Sequence, residues 1–191
     1  MDLIMRALPS FAIIAIIFLS GCAAMQSTPQ HYTGTQGGYA SIAMGITKNS
    51  ARSPLYRFYI KEKSEPRQKY QFALLLDNAF NQDTPDIITD EKEVLIMAKR
   101  LKPGQYSIIG WEASVNGLGV FHSRSDFNID FEIQEGETTF LNQFLFHTIW
   151  EEGMFGLAQR PANFLLLKGD MNNEDKTIAK NKIERITIPR G

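Results

Sequence analysis

In "DFNIDFEI", residues 126–133, Phe127, Ile129, Phe131 and Ile133 alternate with Asn128, Asp130 and Glu132. A period of two sends successive side chains to opposite faces of an extended chain, so this stretch requires one buried face and one in water. A helix would scatter the same apolar residues around its circumference. The pattern recurs: Ala40, Ile42, Met44 and Ile46 alternate with smaller or polar residues, as do Tyr56, Phe58 and Ile60, and then Tyr70, Phe72, Leu74 and Leu76.

Five more stretches read as strands. "EVLIMAKRL" (93–101) and "QYSIIGWEAS" (105–114) flank Lys102-Pro103-Gly104. Proline with its fixed φ followed by glycine is the type II turn arrangement, which predicts a hairpin between these two strands. A turn at Glu135-Gly136-Glu137 leads into "TTFLNQFLFHTIW" (138–150), with Phe140, Phe144 and Phe146 on one face, and "FLLLKG" (164–169) and "RITIP" (185–189) follow. One segment departs from the period. Asn172 or Asn173 can cap a short helix running to about Lys182, with Glu174 and Asp175 in its first turn and Lys180 and Lys182 in its last. The expected fold is mainly β: an antiparallel β-sandwich of about eight or nine strands, with one short helix near the C-terminus, formed by a single domain over residues 39–191. A closed small barrel is the alternative.

The N-terminus is of a different kind. Ala7 to Leu19 is a thirteen-residue, nearly all-apolar run behind Arg6. That is too short to span a bilayer and suits the apolar region of a secretory signal. Leu19-Ser20-Gly21-Cys22 follows it and resembles the bacterial lipoprotein lipobox, Leu-(Ala/Ser)-(Gly/Ala)-Cys, at every position. The resemblance implies that residues 1–21 are removed, that the Cys22 sulfur carries a diacylglyceryl group and that the new amine is acylated. Ala23 in place of aspartate is similar to lipoproteins sent to the outer membrane, which implies a lipid-anchored domain facing the periplasm. The alternative is an ordinary signal peptide cleaved after Ala24. Cys22 is the only cysteine, so no intramolecular disulfide is available. Residues 22–38, rich in Gly, Ser, Thr and Gln, read as the lipidated cysteine and a flexible tether, at most roughly 50 Å when extended.

The segments "LKPGQYSIIGW" and "FEIQEGETTFL" resemble a pattern of prealbumin-like small sandwich domains, in which L-x-P-G-x-Y opens a strand and F-x-I-x-x-G-E precedes the next. The chain is similar in this to uncharacterised envelope lipoproteins with a lipobox and a short acidic-start helix. The likeness covers about residues 94–145, with a looser echo at 172–183. It implies that Leu101 and Tyr106 pack inward around a turn shaped by Pro103 and Gly104, and it implies no activity.

Formal charge is −1 with no basic cluster, which argues against a nucleic-acid partner and against electrostatic binding to a membrane surface. No nucleophile elbow, phosphate loop, dinucleotide fingerprint or zinc motif is present. His122 lies in "GLGVFHSRSD" between small polar residues, too close to Ser123 and Asp126 in sequence for a triad. His147 with Glu151 and Glu152 reads as a strand end followed by solvated acids, and the acidic stretch 77–93 lacks the spacing and glycine of a calcium loop. Trp111, Phe121, Trp150 and Phe155 fall in or beside less regular segments, and "WEEGMFGLAQRPANF" (150–164) is long enough for a functional loop. The candidate binding residues are therefore Trp111, His122, Arg124, Trp150 and Phe155, with Cys22 for lipidation. No cofactor and no metal are expected. The expected role is a non-catalytic binding or assembly accessory whose partners are the membrane, through lipid, and another envelope protein. Its rivals are a hydrolase or metal-dependent enzyme assembled from His122, His147 and the acids, which requires both histidines and a carboxylate in one cleft, and a purely structural packing module.

Overall fold

A computed structural model describes residues 32–65, 67, 69–77, 83–153, 156 and 158–187. Among them are ten strands, β1 (Gly38–Thr47), β2 (Leu55–Glu62), β3 (Lys69–Leu75), β4 (Ile87–Ile88), β5 (Lys92–Leu101), β6 (Gly104–Val115), β7 (Gly119–His122), β8 (Ile129–Ile133), β9 (Thr138–Glu152) and β10 (Gln159–Asp170). One helix, α1 (Asn173–Thr187), follows them. The strands form two sheets. The first has the order β10-β9-β1-β5-β4, and the second has β3-β2-β6-β7 with β8 also on β6.

Alternation places the core. On β2, Tyr56, Phe58 and Ile60 are fully buried while Arg57, Tyr59 and Lys61 are not. Their partners come from the other sheet: the Tyr56 ring stacks on Phe146 of β9 at 4.4 Å between centroids, and Phe58 lies 4.7 Å from Phe144. One buried cluster thus draws on both sheets. A smaller cluster lies on the first sheet's other face, where Ala43, Val94 and Ile96 meet Met171 and Ala179 under α1.

The strand count is ten rather than eight or nine, and the first sheet is mixed, because β1 runs parallel to β9. The predicted hairpin across Lys102-Pro103-Gly104 does not form. β5 pairs with β1 and β4, β6 with β2, β7 and β8, so these residues carry the chain from one sheet to the other. Gly104 has φ 156°, far from the value near 80° that a type II turn needs at its third position. The Tyr106 hydroxyl instead donates to the Lys102 carbonyl at 2.8 Å, bracing the crossing from inside, and Leu101 and Tyr106 are both fully buried.

Three further expectations change. "DFNIDFEI" is a strand only from Ile129, because the Phe127 N–H closes a turn onto the Arg124 carbonyl at 3.2 Å. "RITIP" does not begin a strand: α1 runs through Thr187, and Ile183 extends by one turn the buried stripe begun at Ala179. Most of 150–164 is not loop. β9 pairs with β1 only as far as Phe146, yet β9 and β10 continue to Glu152 and Gln159 as a two-stranded arm, tied by an Arg160–Glu151 ion pair at 2.7 Å. Pro161 is tolerated there beside a register shift, on an edge strand.

At the opposite end, Tyr32 donates its N–H to the Arg100 carbonyl at 2.9 Å, so the chain joins the domain beside the end of β5. Gly38 begins β1 where a Cβ would stand 2.1 Å from the Gln134 carbonyl oxygen, a contact only glycine permits.

Candidate functional site

β6 is flanked unevenly. β2 occupies one edge over nearly its whole length, whereas the other edge is shared: β7 takes Glu112–Val115 and β8 takes Gly104–Ile108. Between them the chain leaves the sheet through residues 123–128, held by reciprocal bonds in which the Ser123 N–H donates to the Trp111 carbonyl at 3.0 Å and the Trp111 N–H to Ser123 Oγ at 3.2 Å. The split opens a cleft of about 660 Å³ against β10 of the first sheet. That lies within the few-hundred to thousand Å³ range typical of ligand sites.

Its floor is aromatic. Trp111, Phe127, Phe144 and Phe164 line it, with Trp111 set edge-on to Phe146 at 5.4 Å. The rim is polar: His122 at the end of β7, with Arg124, Asp126 and Asn128 of the following loop, faces Asn163 and Lys168 of β10. Among the described residues, neither Arg124 nor Lys168 makes an ion pair. Close by, Glu112 is engaged by Arg57 at 2.5 Å and by the Tyr59 hydroxyl at 2.6 Å, and burial together with that carboxylate raises the Tyr59 hydroxyl above its ordinary value.

Three of the five candidate binding residues, Trp111, His122 and Arg124, therefore meet in one cleft. Trp150 is elsewhere. It is part-exposed at the arm, its indole N–H donates to the Asn49 carbonyl at 2.7 Å, and it lines a shallower groove of about 520 Å³ with Arg52, Leu118 and Arg160. Phe155 and Cys22 lie outside the described residues. Phe144, Phe164 and Lys168 complete the cleft but carry no local mark in the sequence, since only the pairing of β9 and β10 brings them there.

The two histidines do not share a site. His147 lines a separate hollow with Thr47, Asp90 and Glu91. Its Nδ1 is 2.8 Å from Thr47 Oγ1, which is 2.8 Å from Ser50 Oγ. Proton accounting orients the chain. Ser50 donates its single hydroxyl proton to the Phe146 carbonyl at 2.9 Å, so Thr47 must donate to Ser50 and the His147 Nδ1–H to Thr47. In this arrangement His147 cannot take a proton from Thr47, so the pair lacks the direction that nucleophile activation needs.

The acids of 77–93 are spent separately. Asp83 accepts the Leu75 N–H at 2.8 Å, Asp86 accepts the Ile96 N–H at 2.7 Å and binds Lys182 at 2.6 Å, and Glu93 pairs with Arg52. No three His, Cys, Asp or Glu side chains among the described residues are grouped to hold a metal ion. Comparison of the chain with protein-family models, with curated proteins and with solved structures returned no match.

Proposed function

We propose that the chain is an envelope lipoprotein, anchored through lipid on Cys22, whose single β-sandwich domain works as a non-catalytic binding or assembly accessory. The observation that carries the binding reading is the cleft at the split in the second sheet, where an aromatic floor meets a rim on which Arg124 and Lys168 outnumber Asp126. Such a site offers apolar contact and orientation, and among the described residues its rim histidine has no nucleophile in hydrogen-bond contact. The rival enzyme needs both histidines and a carboxylate in one cleft, and they line two. Sandwich closure is favoured by the core shared between the sheets and by the Tyr106–Lys102 brace, which resembles the tyrosine corner found where strands change sheet in sandwich domains.

Mass spectrometry of the mature N-terminus tests the anchor: the expected species begins at a lipidated Cys22, and an unmodified cysteine removes the localisation. Crosslinking in intact membranes tests the site. A partner captured by the wild-type protein is expected to be lost in Trp111→Ala and Arg124→Ala and kept in Trp150→Ala.

A packing module is the second reading. It is favoured by Ile149, Leu165 and Leu167, which are 39, 49 and 47 % exposed on the outer face of the first sheet. Under that reading a Leu165→Glu, Leu167→Glu double variant loses the captured partner and the cleft variants retain it.

A further inference from the structure

The free edge of β10 is blocked in one half and open in the other. Among the described residues, β10 pairs with β9 alone. In the upper half Pro161 has no N–H, and the Phe164 N–H is held at 2.8 Å by the side-chain carbonyl of its neighbour Asn163. That donor therefore points away from β9. In an antiparallel ladder, N–H and C=O groups of alternate residues point to alternate edges, so Leu166 and Lys168, which share the parity of Phe164, aim theirs away from β9 as well. Both residues line the cleft. Proteins commonly block such edges with proline or local capping, as at 161–164; the stretch left open, Leu166 to Lys168, still lines the cleft.

We propose that this cleft takes an extended peptide segment as an added strand along Leu166–Lys168, a segment with an apolar side chain over Trp111 and Phe127 and an acidic one two positions away beside Lys168. Main-chain bonds to an exposed edge supply affinity in this mode and alternate side chains supply specificity. The preference for acid follows from the rim, where Arg124 and Lys168 outnumber Asp126. The same charges disfavour a second copy as the occupant, because pairing β10 with β10 would bring two Lys168 and two Arg124 side chains to one seam. This rests on the binding reading above and specifies its ligand class.

The test is an amide NMR titration of the full-length protein in detergent micelles with the capped pentapeptide Thr-Phe-Thr-Glu-Thr and its counterpart carrying lysine for glutamate. The expected result is shifts confined to the Leu166 and Lys168 amides, the Trp111 indole and the 123–128 loop, with the glutamate peptide binding about fivefold tighter. Lys168→Glu is expected to invert that preference. Lys168→Ala removes the charge alone, whereas Lys168→Pro also removes the edge N–H, so the proline variant is expected to bind about fivefold more weakly than the alanine variant, the worth of one hydrogen bond. Should the proline variant fail to fold, the inversion by Lys168→Glu still decides. Equal affinity for the two peptides, shifts at the Trp150 groove or the Leu165 and Leu167 face, or protection of the edge amides by self-association would each overturn the proposal. Absence of lipid on Cys22 would remove the envelope reading and leave these titrations unchanged. Failure of both peptides, with the crosslinked partner still lost in Trp111→Ala, would overturn strand addition alone.

Discussion

Lys99 extends from β5 into the space between the sheets and is only 8 % exposed. Its ammonium sits 5.8 Å from the Phe72 ring centroid, a cation–π contact that offsets part of the cost of burial, and burial pushes its pKa from 10.5 down to about 8. Between those two values the unfolded chain holds more protons on this group than the folded one, so its contribution to stability rises with pH there. Burial acts the other way on Tyr56 and Tyr106, whose hydroxyls are raised well above their usual range, so the unfolded state ionises first at high pH and stability falls. Lys99→Met isolates the lysine. It is expected to be more stable than wild type by about 2 kcal/mol at pH 7, with the gain shrinking steadily from pH 8 to above pH 10 in urea unfolding curves. A gain independent of pH would mean that the ammonium is solvated. Tyr106→Phe keeps the ring stacked on Phe131 but removes the bond to the Lys102 carbonyl, and is expected to cost about 1 kcal/mol at neutral pH in the same assay.

At the scale of the element, α1 is held by its first turn as much as by its apolar stripe. Asn172 Oδ1 accepts the Asp175 N–H at 2.8 Å while Asp175 Oδ2 accepts the Asn172 N–H at 3.0 Å, a reciprocal capping box. Asp175 is fully buried, and Gln143 Nε2 of β9 donates to the same oxygen at 3.2 Å while its carbonyl accepts from Lys92 Nζ at 2.9 Å. Asn172→Ala is expected to cost about 1 kcal/mol, and a double-mutant cycle between Gln143 and Asp175 to show coupling of about 0.5 kcal/mol or more in denaturant unfolding. The cap was legible in the sequence because capping is local; the length of α1 was not, because β-branched Ile186 and Thr187 favour a strand locally, and it is the burial of Ala179 and Ile183 on one helix face, a tertiary effect, that carries the helix on. The same division runs through the strands. Apolar patterning located eight of the ten strands and missed the short β4 and β7, yet "LKPGQY" has the same local chemistry whether the chain turns back along its own sheet or crosses to the other. Trp111, His122 and Arg124 could be singled out for lying at an irregular stretch. Their meeting with Phe164 and Lys168 depends on two strands sharing one edge of β6, which no local pattern encodes.

For the whole molecule, the two ends of the domain are unlike. Tyr32 joins beside Arg100, and the turn at Glu135 and Gly136 lies at that same end, since the Gly136 N–H donates to the Gly37 carbonyl at 3.0 Å. The turn at Asn116 and the β9–β10 arm lie at the other, separated from it by the length of β6, twelve residues or about 40 Å at 3.3 Å each. The ten residues from Cys22 to Ser27 and on to His31 can reach at most about 35 Å. An anchor at Cys22 therefore predicts a polarity: Glu135 close to the bilayer, Asn116 far from it, and the cleft of Trp111 and Lys168 on the flank between, open to a segment approaching along the membrane. Because Cys22 is the only native cysteine and would be alkylated, a single added thiol can be labelled without interference. With headgroup-attached quenchers in vesicles, a fluorophore on Glu135→Cys is expected to be quenched strongly and one on Asn116→Cys weakly. Adding Cys22→Ser should release both from the vesicles. Equal quenching at the two positions would mean that the domain lies on its side, which would bury either the cleft or the opposite flank and change which partners can reach β10.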